Sequence, residues 1–229
     1  MTDRLTLIFD ADDTLWANNV FFERVIADYL DWLAHPTLDH DEIRRTLDDI
    51  ERANAVTHGY GSQAFLLNLA ECFHALNERP VTDAERLEIN RLATDLLEHR
   101  VELFPAVADT LVELGERHDL KLMTKGARPE QQRKIDASGL AGLFSSIHIV
   151  AEKNLDAYAD IVAEQRLSPA STWMIGNSPA SDILPARAIG LNAVYIPSSD
   201  TWVLEQAELD PADDQVLTLS SFPELLRHF

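Results

Sequence analysis

One cysteine, Cys72, stands in the whole chain, so no intrachain disulfide can form. Its apolar neighbours Leu69 and Phe73 predict a small buried side chain rather than a reactive thiol. Basic residues are scarce: 19 Lys and Arg face 39 Asp and Glu, for a net charge of −20. Nucleic acid is thereby disfavoured as a partner, because phosphate backbones are bound by clustered Lys and Arg. An anionic membrane surface is disfavoured for the same reason. Long apolar runs are missing too. The stretch from Leu5 to Phe9 stops at Asp10, too short for a signal segment or a membrane span, so the expected compartment is the cytoplasm. The histidines are scattered and show no metal-ligand spacing, and the sequence has neither internal repeats nor low-complexity tracts.

What is present is the composition of an ordinary globular protein, 46% hydrophobic and 25% charged. At 229 residues the chain can bury one full core with room for a smaller module. Leu5 to Phe9 reads as a buried parallel strand halted by acids. From Asn19 to Arg100 the pattern is helical, with Phe22, Val25, Ile26, Tyr29 and Leu33 on one face. An apolar helix is expected over Phe65 to Leu76, after a loop at His58-Gly59-Tyr60-Gly61. Ile89, Leu92, Ala93, Leu96 and Leu97 continue the helical spacing. After Pro105, helices alternate with strands at Leu120–Met123, Ile147–Val150, Thr172–Ile175 and, as the last strand, Ala193–Ile196. A helix over Asp182 to Ala188 is expected before that last strand. This alternation predicts an α/β fold, a Rossmann-like parallel sheet with an inserted all-α segment. The expected division is 1–17 with 102–229 for the α/β core and 18–101 for the helical insert.

In such a sheet, functional groups gather at the carboxyl ends of the strands. The first strand ends in Asp10-Ala11-Asp12-Asp13-Thr14 and the second in Thr124-Lys125-Gly126. Glu152-Lys153 follows the third, and Gly176-Asn177-Ser178-Pro179-Ala180-Ser181-Asp182 follows the fourth. Two acids, a hydroxyl, a lysine and a further acid would converge on one point. That set answers the problem of attacking a phosphate monoester with a carboxylate. Two unit charges 4 Å apart repel by about 4 kcal/mol at an effective dielectric near 20. A Mg²⁺ ion and the ammonium of Lys153 would offset that repulsion. Asp10 would be the nucleophile, and Asp12 would pass the proton.

Asp-x-Asp-x-Thr, a strand-end Thr, a Lys and Gly-Asn-Ser-x-x-x-Asp, in that order, resemble the haloacid dehalogenase superfamily. The resemblance covers essentially the whole chain, and the helical insert looks like that superfamily's C1-type cap. It implies a magnesium-dependent phosphatase acting on a small soluble phosphorylated substrate through an aspartyl-phosphate. It implies catalytic roles for Asp10, Asp12 and Lys153, and phosphate binding by Thr124, with Lys125 and Gly126 beside it. The magnesium ligands would be Asp10, the backbone carbonyl of Asp12, Asn177 and Asp182. Asn177 departs from the family, which usually carries an acid at that position; the amide ligates without charge. Phosphomutase and 2-haloacid dehalogenase chemistry share the fold, and a non-catalytic ligand-binding relative is the alternative from another class. The intact Asp10 argues against the last, and Asp12 against dehalogenation, which needs neither a second acid nor a metal.

Plainer readings stand beside these. Asp10, Asp12 and Asp13 alone could cap a helix. Lys153 alone would be a surface lysine. It is the register of four motifs that argues otherwise. Gly59-Tyr60-Gly61-Ser62-Gln63-Ala64 spells a dinucleotide fingerprint, but no buried strand precedes it. That loop is expected to join insert helices, with Tyr60 selecting substrate. Trp16 and Asn18-Asn19 are expected at a hinge or at contacts with the insert.

Overall fold

The computed structural model describes residues 4–98, 101–199 and 201–229. The chain divides into two compact units, residues 1–19 with 101–229 and residues 20–100. In chain order, β1 (Thr6–Phe9) and β2 (Trp16–Ala17) precede α1 (Asn19–Leu33), α2 (His40–His58), α3 (Ser62–Asn77), α4 (Asp83–Leu92) and α5 (Thr94–Leu97). Then come β3 (Glu102–Leu103), α6 (Val107–Arg117), β4 (Asp119–Lys125), α7 (Arg128–Ser138) and β5 (Ser146–Val150). The chain continues through α8 (Leu155–Glu164), β6 (Thr172–Gly176), α9 (Leu184–Ala188), β7 (Asn192–Tyr195) and β8 (Val216–Thr218).

Among the described residues, six strands form a parallel sheet in the order β5-β4-β1-β6-β7-β8. The fold is the α/β Rossmann-like one. Side chains alternate across the sheet, so β1 serves two cores at once. Leu7 and Phe9 join Leu111, Leu114, Leu122, Phe222 and Leu225 on one face, while Ile8 joins Met123, Tyr158, Ile161 and Met174 on the other. Leu7, Ile8 and Phe9 are fully buried, each gaining about 1.5–3 kcal/mol from leaving water. β1 lies between β4 and β6, where the strand order reverses, and the carboxyl ends of these three strands share one edge. A separate antiparallel ribbon pairs β2 with β3 at Trp16↔Leu103 and Ala17↔Glu102.

Two sequence expectations are corrected here. Ala193–Ile196 is not the last strand, because β8 pairs with β7 at Ala193↔Val216 through Tyr195↔Thr218. Three residues on a sheet edge carry too little alternation to announce themselves. The expected helix over Asp182–Ala188 instead begins as a wider π-helical turn, Pro179–Ile183, and becomes α-helical only at Leu184. Pro185 has no N–H to offer the carbonyl of Ser181. The Tyr158 hydroxyl donates to that carbonyl instead, at 2.9 Å.

The second unit is helical. Val25, Ile26 and Tyr29 of α1, Ile43 and Leu47 of α2, Phe65, Leu69, Cys72 and Phe73 of α3, and Ile89 of α4 are buried. The Tyr29 hydroxyl donates to the Leu69 carbonyl at 3.1 Å, and the rings of Trp32 and Phe73 stack with centroids 5.7 Å apart. Burial pushes the Cys72 thiol up to about 11, leaving a packing residue. His58 closes α2 rather than entering the loop, and Gly59 ends the helix at φ 69°. A helix therefore precedes Gly59-Tyr60-Gly61, and the dinucleotide reading of that segment fails for want of a strand. Among the described residues no helix is long and apolar enough to cross a membrane.

The start of α2 offers a local test. Asp39 accepts from the backbone N–H of Glu42 at 2.9 Å, and Glu42 accepts from that of Asp39 at 3.0 Å, a reciprocal capping box. Asp39→Ala is expected to cost about 1 kcal/mol. Urea unfolding followed by circular dichroism reads this, and an unchanged midpoint would show that the box contributes nothing.

Candidate active site

Asp10 follows β1, and its backbone N–H donates to the carbonyl of Ile175 at 2.9 Å, continuing the pairing with β6. Its side chain is buried and fully engaged. One carboxylate oxygen accepts from the Lys153 ammonium at 2.5 Å, the other from the Thr14 hydroxyl at 2.8 Å. Lys153 also donates to Asp182 at 2.6 Å. The remaining Asp182 oxygen accepts from the Ser178 backbone N–H at 2.9 Å. The Thr14 hydroxyl also lies 3.1 Å from the side-chain oxygen of Asn177. Asp10, Thr14, Lys153, Asn177 and Asp182 thus form one connected cluster. Gly176 makes it possible: a Cβ there would lie 2.1 Å from an Asp182 carboxylate oxygen. Among the described residues, no three His, Cys, Asp or Glu side chains group as a metal site.

The charges are unequal. Burial raises the Asp10 carboxyl from an ordinary 3.8 to about 7; Lys153 opposes that shift, and Asp182 and Asp12 add to it. Burial also works against the Lys153 ammonium, but Asp10 and Asp182 overcome it and hold the proton more firmly than usual. One cation is shared between two anions, and both of them favour the charged form of the lysine.

Asp12 is held in a second group. Its carboxylate accepts from Trp16 Nε1 at 2.7 Å, from Gln131 Nε2 at 2.9 Å and from Lys134 Nζ at 3.0 and 2.9 Å. The same Gln131 nitrogen is 2.6 Å from the Thr124 hydroxyl, so Thr124 and Asp12 share a donor. Lys134 also donates to the Asn18 side-chain oxygen at 2.8 Å. Asp13, at φ 61°, accepts the backbone N–H groups of Asn18 and Asn19 and anchors the start of α1. Burial raises its carboxyl to about 6.

The Lys125 ammonium pairs with Glu205, donates to the Ser181 hydroxyl at 2.9 Å and lies 3.4 Å from Glu152. Glu205 also accepts from the Ser178 hydroxyl. Burial opposes the Glu205 carboxylate, but Lys125 and the hydroxyls hold its pKa below the ordinary value. The Gly126 N–H donates to the Val150 carbonyl at 3.0 Å and so is taken up by sheet pairing. Tyr60 lies in the second unit, in the turn between α2 and α3.

Gln131, Lys134 and Glu205 escaped the sequence reading. Gln131, Lys134 and Ile135 form a buried face of α7 at i, i+3, i+4 spacing, but two of the three are polar in a helix that is polar all round. No apolar stripe marks that face. Glu205 comes from a single 3-10 turn, Val203–Glu205, far along the chain.

A family model for haloacid dehalogenase-like hydrolases matches residues 5–190. The chain belongs to that family. This hydrolase is similar to a solved haloacid dehalogenase-like family hydrolase from Xanthomonas campestris, 27% identical, covering 98% of this chain and 95% of that one at a TM-score of 0.84. A predicted phosphoglycolate phosphatase from Haemophilus somnus is 18% identical, with coverages of 100% and 99% and a TM-score of 0.66. An L-2-haloacid dehalogenase from Xanthobacter autotrophicus is also 18% identical, with coverages of 98% and 97% and a TM-score of 0.62. At such identities the last two share the fold alone. No curated protein matches the chain significantly.

Asp10 sets a pH dependence for this hydrolase. The folded protein keeps that proton to a pH near 7, whereas an unfolded aspartate releases it near 3.9. Between those values the folded state binds more protons, so this group's contribution to stability falls as pH rises. Asp10→Asn removes the buried charge and is expected to exceed the parent in stability at pH 8, by on the order of 1 kcal/mol. The difference should shrink toward pH 4. Urea titrations in EDTA at both pH values measure it, and a less stable variant at pH 8 would show that the ion pair outweighs burial.

Proposed function

We propose that this hydrolase is a phosphatase for a small soluble phosphate monoester, with Asp10 as nucleophile. The observation that carries the reading is the buried Asp10 carboxylate at the reversal of strand order, 2.5 Å from the Lys153 ammonium, with a second acid two residues on. An Asp10 oxygen attacks phosphorus and the ester oxygen departs with a proton from Asp12, leaving an aspartyl-phosphate. Water then attacks that phosphorus while Asp12 takes its proton, which releases phosphate and restores Asp10. Lys153 keeps the nucleophile in place and offsets the charge that gathers during both steps. Thr124 is 1% exposed, and its hydroxyl would orient a phosphoryl oxygen.

The residues fit Mg²⁺. Asp10, Asn177 and Asp182 offer only oxygen donors, Asp12 adds a backbone carbonyl, and two buried carboxylates share a single ammonium. Hard cations favour such ligands. When bound by these four residues, the ion would supply further positive charge for the phosphoryl oxygens. The net charge of −20 supports a small-molecule partner over nucleic acid or an anionic membrane, and a cytoplasmic compartment is part of the proposal. Tyr60 keeps a proposed part in substrate choice.

Asn177 favours a second reading, 2-haloacid dehalogenation, which also forms an ester on the aspartate but needs neither a second acid nor a metal. One assay separates the two: p-nitrophenyl phosphate with Mg²⁺ or EDTA, beside 2-chloropropionate. Phosphate release that disappears in EDTA, with no chloride release, is expected. Chloride release indifferent to EDTA would select the second reading. Asp10→Asn should abolish turnover, and activity within about tenfold of the parent would rule out the aspartyl ester.

Asn177 gives a separate expectation. Adding a negative ligand tightens hard-cation binding, so Asn177→Asp should lower the Mg²⁺ concentration for half-maximal activity, and Asp182→Asn should raise it. A magnesium titration of the three proteins checks both. No shift in either variant would remove this segment from the metal site.

A further inference from the structure

Asp12 is not an acid waiting in open solvent. Three donors from two directions engage its carboxylate: Trp16 from β2, and Gln131 and Lys134 from successive turns of one face of α7. Lys134 is 7% exposed and Gln131 3% exposed, so neither is a surface residue that happens to reach inward. Lys134 touches both carboxylate oxygens, at 3.0 and 2.9 Å, and so opposes rotation of the group about its last bond. Gln131 touches one of them and the Thr124 hydroxyl with the same nitrogen, at 2.9 and 2.6 Å.

We propose that Lys134, with Gln131, is the positioning residue for Asp12: the pair locks the proton-transferring carboxylate at a set distance from the phosphate-holding hydroxyl of Thr124. The inference rests on the phosphatase reading above and deepens it. The physical requirement is registration. Thr124 would hold the phosphoryl oxygens, whereas Asp12 must meet the ester oxygen and then the water on the line of displacement. Those two demands are compatible only if the groups keep one mutual geometry, and a misplacement of about 1 Å can cost on the order of 10²-fold in rate. A free aspartate at the end of a turn has rotamer freedom that would lose this. The α7 pair removes it. Burying a lysine costs free energy that an exposed polar helix would not incur, and here the buried ammonium is repaid by Asp12 and by the Asn18 side chain at 2.8 Å.

The test compares phenyl phosphate, whose leaving group needs a proton, with p-nitrophenyl phosphate, whose leaving group does not. Lys134→Met should lower kcat for phenyl phosphate by about 10²-fold and for p-nitrophenyl phosphate by less than about tenfold, with KM within about twofold for both. In an Asp12→Asn background the same change should alter kcat by less than about twofold, because residues acting as one unit are not additive. Lys134→Arg should recover part of the phenyl phosphate rate. Gln131→Leu, which strands no buried ammonium, should show the same leaving-group signature more weakly and serves if Lys134→Met does not fold, as judged by thermal melting. Equal losses on the two esters, full additivity with Asp12→Asn, or unaltered rates in both folded variants would overturn the inference while leaving the phosphatase reading standing. A parent protein inactive on both esters would overturn that reading and this inference together.

Discussion

The Lys153 ammonium, shared between the buried carboxylates of Asp10 and Asp182, is the interaction on which the rest of the site depends. Each ion carries a desolvation cost of several kcal/mol, and a single cation cannot satisfy two anions fully. The surroundings supply the remainder. Thr14 donates to Asp10 and the Ser178 N–H to Asp182. The bare Gly176 leaves Asp182 room to approach, and Tyr158 secures the Ser181 carbonyl that Pro185 cannot serve. Catalytic competence and stability pull against each other here. In the proposed reaction Asp10 must be ionised to attack, and it is the carboxylate that burial pushes toward its neutral form.

Around that cluster, a strongly acidic protein sets three of its lysines against carboxylates. Lys153 serves Asp10 and Asp182, Lys134 serves Asp12, and Lys125 serves Glu205. The three ammonium groups lie beside successive parts of one sheet edge and have different tasks. One lies at Asp10, one at Asp12, and one ties the strand end of β4 to the short 3-10 helix that carries Glu205. The pairing of Lys125 with Glu205 distinguishes it from Lys153 in a way that residue type alone does not, since Lys125 closes β4 and Lys153 follows β5 in the same sheet.

The fold does not choose between phosphoryl transfer and dehalogenation, because both reactions begin from an aspartate presented at the centre of the sheet. The choice lies in what surrounds that aspartate: a second acid with its own supports, and oxygen donors enough for a hard cation. Asp12 and its link through Gln131 to Thr124 favour phosphate; Asn177 is the feature that pulls the other way.

The alternation of apolar strands with helices determined the parallel sheet, since β1, β4, β6 and β7 are largely buried and carry short apolar runs. The motif residues Asp10, Thr124, Lys153 and Asp182 were legible because each lies just past such a run. β8 was not, being too short for any pattern to emerge. The π-helical turn at Pro179–Ile183 was hidden because a missing N–H and a distant tyrosine, not local propensity, decide it. The support of Asp12 by Lys134 and of Lys125 by Glu205 was also beyond one-dimensional reading. Partners separated by 122 and 80 positions meet only once the sheet is assembled. Residue chemistry determined what each group could do; the packing of α7 and of the segment after β7 decided which charge each one meets.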